Sequence, residues 1–184
     1  MKKELLVVVD MINGFINEGP LCDTSIQKII PANVALVKEF LASGKDVIAF
    51  RDVHEPDAIE FEFYPAHCVK GTLESELVDE LKVYQDKMIV IPKNTTNGFF
   101  TIAFQTYLAQ HRDLTDVTIS GCCTDICVFH FAISLKTYTQ TIDWPLRIHL
   151  IEAAVDTFDA SFHSKAAMQN ASLQMMKAAG ILVE

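Results

Sequence analysis

The chain alternates between short apolar runs and longer amphipathic stretches. Residues 5–9 read Leu-Leu-Val-Val-Val and end at Asp10. An unbroken run of this kind suits a strand buried on both faces, as in a parallel sheet. Further strand patterns lie over residues 46–51, 87–91, 116–120, 146–151 and 181–183. Helical patterns lie between them, over 31–43, 73–81, 99–111, 126–138 and 162–179. In the first helix Val34, Val37, Phe40 and Leu41 share a face, Pro31 opens it and Gly44 follows it. Strand and helix in alternation predict a doubly wound α/β domain of three layers, with a mostly parallel sheet of about six strands. The common order 3-2-1-4-5-6 would set the first and fourth strands side by side at the switch point. With no repeat, low-complexity tract or linker in the sequence, a single domain over residues 1–184 is expected.

Three stretches break the periodic pattern. Residues 11–25 form a loop with Gly14, Gly19 and Pro20. The segment from Asp52 to Gly71 is polar, aromatic and irregular, and it is long for a structureless connection. The third is Gly121-Cys122-Cys123-Thr124-Asp125-Ile126-Cys127-Val128, between a strand and a helix. Unpaired N–H groups at a helix start, and the positive end of the helix dipole, favour a thiolate and can hold an oxyanion. Thr124 is the expected N-cap, with Cys127 in the first turn.

Charge and cysteine usage narrow the function classes. The formal net charge of −9 argues against nucleic-acid or anionic-membrane partners, which need basic patches. No uncharged apolar run is long enough to span a bilayer. The N-terminal residues lack the apolar length and cleavage site of a signal peptide, so a cytoplasmic protein is expected. Five cysteines with no C-x-x-C pair then read as reduced thiols rather than a disulfide framework or a zinc ribbon.

The reactive residues fall at strand ends. Asp10 ends the first strand, Asp52 and His54 follow the second, Lys93 the third and Cys127 the fourth. In an open parallel sheet these ends share one edge, where ligands bind. A cysteine in an apolar run is ordinarily an inert core residue. Its company here is an acid, a candidate metal pair and a base.

These elements together resemble the isochorismatase-like cysteine hydrolases, and within them the nicotinamidase (pyrazinamidase) branch. The likeness runs through Val7-Val8-Val9-Asp10 with Phe15, Asp52-x-His54, Tyr64-Pro65-x-His67 with Gly71-Thr72, and Pro92-Lys93 with Phe99. The Gly121-x-x-Thr124-Asp125-x-Cys127-Val128 turn is its most specific part, and residues 156–161 resemble a further family segment. The resemblance implies a hydrolase converting nicotinamide to nicotinate and ammonia, as in NAD salvage, with pyrazinamide as a second substrate. It makes Cys127 the nucleophile, Asp10 the proton carrier and Lys93 their partner, with the N–H groups of Cys123 and Cys127 as oxyanion hole. It also implies a cis peptide bond between Cys122 and Cys123. It implies one divalent metal, Zn²⁺ or else Fe²⁺ or Mn²⁺, on Asp52, His54, His67 and Glu60, with Glu62 as the alternative fourth ligand. Phe15, Tyr64 and Phe99 would wall a small aromatic amide. Oligomeric state, including a homo-oligomer, stays open.

Departures from the family pattern are Ile12 and Gly14, where Gln and a second acid are usual, and the paired thiols Cys122 and Cys123, which suggest sensitivity to oxidation. The competing readings are a carbamoyl or ureido amidase with the same Asp-Lys-Cys set, a non-catalytic metal- or ligand-binding relative, and a redox thiol protein.

Overall fold

A computed structural model describes residues 3–184. Residues 1 and 2, which open the stretch read against a signal peptide, lie outside it. Six strands form one parallel sheet: β1 (Glu4–Val9), β2 (Asp46–Asp52), β3 (Ile89–Lys93), β4 (Asp116–Cys122), β5 (Arg147–Asp156) and β6 (Leu182–Val183). Their order is β3-β2-β1-β4-β5-β6, as the strand-helix alternation predicts. The helices are α1 (Asn13–Ile16), α2 (Ile30–Ala42), α3 (Asp79–Lys82), α4 (Ile102–Gln110), α5 (Phe129–Thr141) and α6 (Lys165–Ala178). Among the described residues no helix is long and apolar enough to cross a membrane.

The pleat of β1 divides the core in two. Leu5, Val7 and Val9 face one apolar cluster, with Phe50, Phe104 and Phe131 and with Leu173 and Met176 of α6. Leu6 and Val8 face the other, with Val37 and Phe40 of α2 and Leu81 of α3. All five side chains are at most 1% exposed. Burial of each stabilises the fold by about 1.5–3 kcal/mol, which explains why the run has no polar position.

Gly121 lets β4 lie against β1. It pairs with Val9 across the sheet, has φ +114°, and a Cβ there would stand 2.0 Å from the Val9 carbonyl oxygen. The edge strand β3 carries Pro92 without loss, because a missing N–H is tolerated at an edge.

Several elements differ from the sequence expectation. Residues 73–81 are not one helix. A single tight turn over Leu73–Ser75 precedes an extended link, and α3 starts only at Asp79. The cause is tertiary. The link pairs with residues 11–13: Asn13 N donates to Glu76 O at 2.9 Å and Val78 N to Met11 O at 3.1 Å. The Asn13 side chain also donates to the Leu73, Glu76 and Leu77 carbonyls. β3 begins two residues later than predicted, because Gln85–Lys87 forms a tight turn, and it runs on through Lys93. β5 extends to Asp156 through an irregularity in its register with β4.

Candidate active site

β1, β2 and β3 deliver Asp10, Asp52 and Lys93 to one edge of the sheet. Asp10 is the first residue past β1 and has φ 51°, a left-handed conformation that Asp tolerates better than most side chains. Lys93 is fully enclosed. Its ammonium lies 2.8 Å from Asp10 Oδ2 and 2.9 Å from Asp52 Oδ1, and donates to the Thr95 carbonyl at 2.9 Å. The contacts with Asp52 and Thr95 are hydrogen bonds, and that with Asp10 is an ion pair. Burial alone would lower the Lys93 pKa, but Asp10 and Asp52 outweigh it and keep the ammonium charged.

The two carboxylates respond in opposite directions. Burial pushes Asp10 up to about 6 despite the pull of Lys93, and the Asp52 charge adds to the rise. Burial opposes ionisation of Asp52 as well, yet Lys93 and hydrogen bonds from His54 and His67 hold it well below the usual carboxylate range. Asp10 is therefore the group that can exchange a proton near neutrality, while Asp52 stays charged.

Cys127 sits in a π-type turn, Thr124–Val128, ahead of α5. Its thiol and the Asp10 carboxylate are close enough to shift each other's protonation, and among the described residues both Asp10 oxygens lack a hydrogen-bond partner. The Cys122–Cys123 bond is cis. The Cys123 carbonyl accepts from the N–H groups of Ile126 and Val128, at 3.2 and 3.1 Å, and passes over that of Cys127. Two expectations change here. Thr124 is not the cap: Cys123 takes the extended cap conformation without a side-chain bond, and the enclosed Thr124 hydroxyl has no partner. Nor does the turn by itself yield a thiolate. Burial pushes the Cys127 thiol well up, against the pull of Lys93, and the charge of Asp10 adds to the effect. Cys127 rests as a thiol whose proton must be removed by a base. Of the neighbouring thiols, Cys122 is enclosed and donates to the Asp10 carbonyl at 3.2 Å, while Cys123 faces the cavity.

Beside the thiol, Asp52, His54 and His67 each offer a donor atom, all within 4.8 Å of one another and all buried. His54 Nε2 and His67 Nε2 both approach Asp52 Oδ2, at 2.9 and 3.2 Å. His67 Nδ1 lies 2.8 Å from the Pro65 carbonyl, so its ring can donate from both nitrogens, and against the lowering effect of burial the Asp52 and Pro65 bonds raise its pKa. A cation among the three would take the place of the protons on Nε2, with the Pro65 carbonyl keeping a proton on Nδ1 and the Nε2 lone pair free to bind. Two imidazoles and a carboxylate suit a divalent transition ion with open positions. Glu60 stands outside this trio. It is half-buried and lines the cavity, and burial and the Asp52 charge raise its pKa. Glu62 is exposed and does not line it.

The cavity measures about 1050 Å³ and reaches from Cys127, Asp52 and His67 to the loops carrying Ser25 and Phe158. Phe15 and Tyr64 line it, with ring centroids 5.9 and 6.1 Å from that of His67. Phe99 does not. It lies in a turn capped by Asn97 and packs in the core against Phe104 and Tyr138. Sequence reasoning missed Phe61, whose ring is 5.3 Å from His54 and 5.6 Å from His67. It also missed the outer wall at Phe158, Ala160 and Phe162, although part of that segment carries the family resemblance.

Residues 4–181 match the family model described as an isochorismatase domain. Nicotinamidase 1 of Arabidopsis thaliana is 32% identical over 211 aligned residues, covering 97% of this chain and 84% of the relative. The crystal structure of the nicotinamidase PncA from Bacillus subtilis has a TM-score of 0.83 at 26% identity, covering 98% of each chain. That of N-carbamoylsarcosine amidase from Thermoplasma acidophilum has a TM-score of 0.81 at 27% identity, covering 99% of this chain and 95% of that one. With the family model spanning residues 4–181, a relative 32% identical across 97% of the chain, and the same overall fold in the solved structures, the chain belongs to the isochorismatase family.

Proposed function

We propose that the chain is a nicotinamidase, hydrolysing nicotinamide, and pyrazinamide as a second substrate, through a thioester on Cys127. The observation that carries this reading is the enclosed Lys93–Asp10 pair, 2.8 Å apart, set against Cys127 beside the Asp52, His54 and His67 donors. Asp10 takes the thiol proton as the sulfur attacks the amide carbonyl, so the negative charge moves to the carbonyl oxygen. The N–H groups of Cys123 and Cys127 would receive that charge as the oxyanion hole. The C–N bond breaks, Asp10 passes its proton to the departing amine, and ammonia leaves. Water then adds to the thioester with Asp10 accepting its proton. The C–S bond breaks, the thiol is re-formed and the carboxylic acid departs. Lys93 keeps Asp10 oriented and its charge offsets the transient thiolate. Phe15 and Tyr64 bracket the flat ring. A divalent ion on Asp52, His54 and His67, with Glu60 at hand, would supply a Lewis acid for the ring nitrogen.

Ammonia release from nicotinamide by the purified protein tests the reading, with Cys127→Ala as control. Release that is absent from the variant and lost on chelation supports it. Cys127-dependent release that survives chelation, in protein shown by elemental analysis to be metal-free, keeps the amidase and removes the ion from catalysis. No release from nicotinamide, with release from N-carbamoyl amino acids, favours the ureido amidase suggested by the Thermoplasma acidophilum relative.

A further inference from the structure

Asp125 lies inside the nucleophile turn, between Cys123 and Cys127, but its side chain points away from the proton-transfer chemistry. Both carboxylate oxygens are used by the distant segment that joins β5 to α6. Oδ1 accepts from the Thr157 hydroxyl, and Oδ2 lies 2.7 Å from His163 Nε2. The two side chains are 6% and 10% exposed, so this is an enclosed contact and not a solvated surface pair. His163 is held on every side. Its Nδ1 is 3.1 Å from the Phe158 carbonyl, its ring stacks on Phe158 at 3.9 Å and 12°, and its backbone exchanges two bonds of 2.9 Å with Ala160. Phe158, Ala160 and Phe162, which this arrangement fixes, form the outer wall of the cavity.

We propose that Asp125, Thr157 and His163 form a clamp that fixes the outer cavity wall relative to the Cys127 turn, and that this clamp sets the size of acyl group admitted to the thiol. The proposal rests on the reading of Cys127 as the reactive thiol. The three are positioning residues and touch neither substrate nor sulfur. The clamp ties wall and nucleophile turn together through one carboxylate, so their separation does not depend on the loop's own flexibility. The opposite side of the wall is fixed separately: the Asp159 N–H donates to Asp23 at 2.9 Å and the Lys165 ammonium to Ser25 at 2.7 Å. Loss of the clamp removes the polar ties between the wall and the Cys127 turn, leaving only the apolar packing of Phe158 on that side, and the cavity widens beside Cys127.

The test uses the full chain and two readouts. In His163→Ala, KM for nicotinamide is expected to rise roughly tenfold or more with kcat nearly unchanged, the scale of one lost packing or positioning contact. Independently of any amidase activity, Cys127 is alkylated with iodoacetamide and with a bulky N-aryl maleimide, and labelling is read by mass spectrometry. The wild type should favour the small reagent, and His163→Ala should lose that preference. Should His163→Ala not fold, His163→Gln and Thr157→Val each remove part of the clamp and should shift both readouts in the same direction. An unchanged KM with an unchanged labelling ratio, or a fall in kcat alone, overturns the proposal. Failure to hydrolyse nicotinamide at all, with the labelling preference present and clamp-dependent, overturns only the nicotinamidase reading.

Discussion

Asp10 and Lys93 carry opposite charges in the same enclosed space, and each explains the state of the other. A base must be ionised to take the thiol proton. With Asp10 pushed up to about 6, kcat/KM should fall about tenfold per unit as pH drops below that value. The pH–rate profile measures it, and an acid limb near the ordinary carboxylate value would contradict the assignment. The effect on stability has the opposite sign. Folding raises the Asp10 value, so the folded protein holds a proton that the unfolded chain has already released. This group therefore costs stability as pH rises from 3.8 toward about 6. Lys93→Met leaves the carboxylates of Asp10 and Asp52 enclosed without their shared cation. Denaturant unfolding should show a loss of about 3–5 kcal/mol, together with loss of activity. Gly14, where the family favours an acid, also has a local explanation. A Cβ there would meet Cys68 Sγ at 2.5 Å and the Glu74 carbonyl at 3.0 Å.

Elements whose backbone partners lie in another part of the chain are those the sequence misplaces. The apolar positions of residues 73–81 fit a helix, yet Asn13 and the strand-like pairing with residues 11–13 claim the carbonyls a helix needs. The junction of β1 and β4 shows the same dependence in one residue. Gly121→Ala forces a Cβ to within 2.0 Å of the Val9 carbonyl at φ +114°, and unfolding should register more than about 4 kcal/mol of destabilisation or no folded protein. Gly44→Ala is the control. It has φ +67° and open space around it, so only the left-handed conformation is penalised, at about 1–2 kcal/mol. Similar losses at the two sites would show that the β1–β4 approach does not require glycine.

At the scale of the molecule, the donor trio joins β2 to the irregular segment after it, so an ion there would cross-link two parts of the chain. Chelation of metal-loaded protein should lower Tm by about 5–10 °C, and Zn²⁺ should restore it, for an ion present at about 100 times its Kd. An unmoved Tm, in protein shown by elemental analysis to have lost its ion, would mean that these residues do not hold a structural metal. The parallel sheet, its order and the rim that gathers Asp10, Asp52, Lys93 and Cys127 were legible in the sequence. Apolar runs declare buried strands, and strand-helix alternation leaves few topologies open. Phe99 was not legible, because a ring in a core and a ring in a pocket wall have the same sequence signature. The Asp125–His163 clamp was not legible either, because 38 residues separate its partners and neither lies at a strand end. The protonation of Cys127 likewise waited on tertiary structure. A helix start suggests a thiolate, but burial and the nearby Asp10 charge decide for the thiol. Sequence alone determined which groups reach the rim, since local periodicity sets strand ends. Their charge states, and which side chains turn inward, depended on desolvation and on contacts between distant segments, which exist only once the chain has packed.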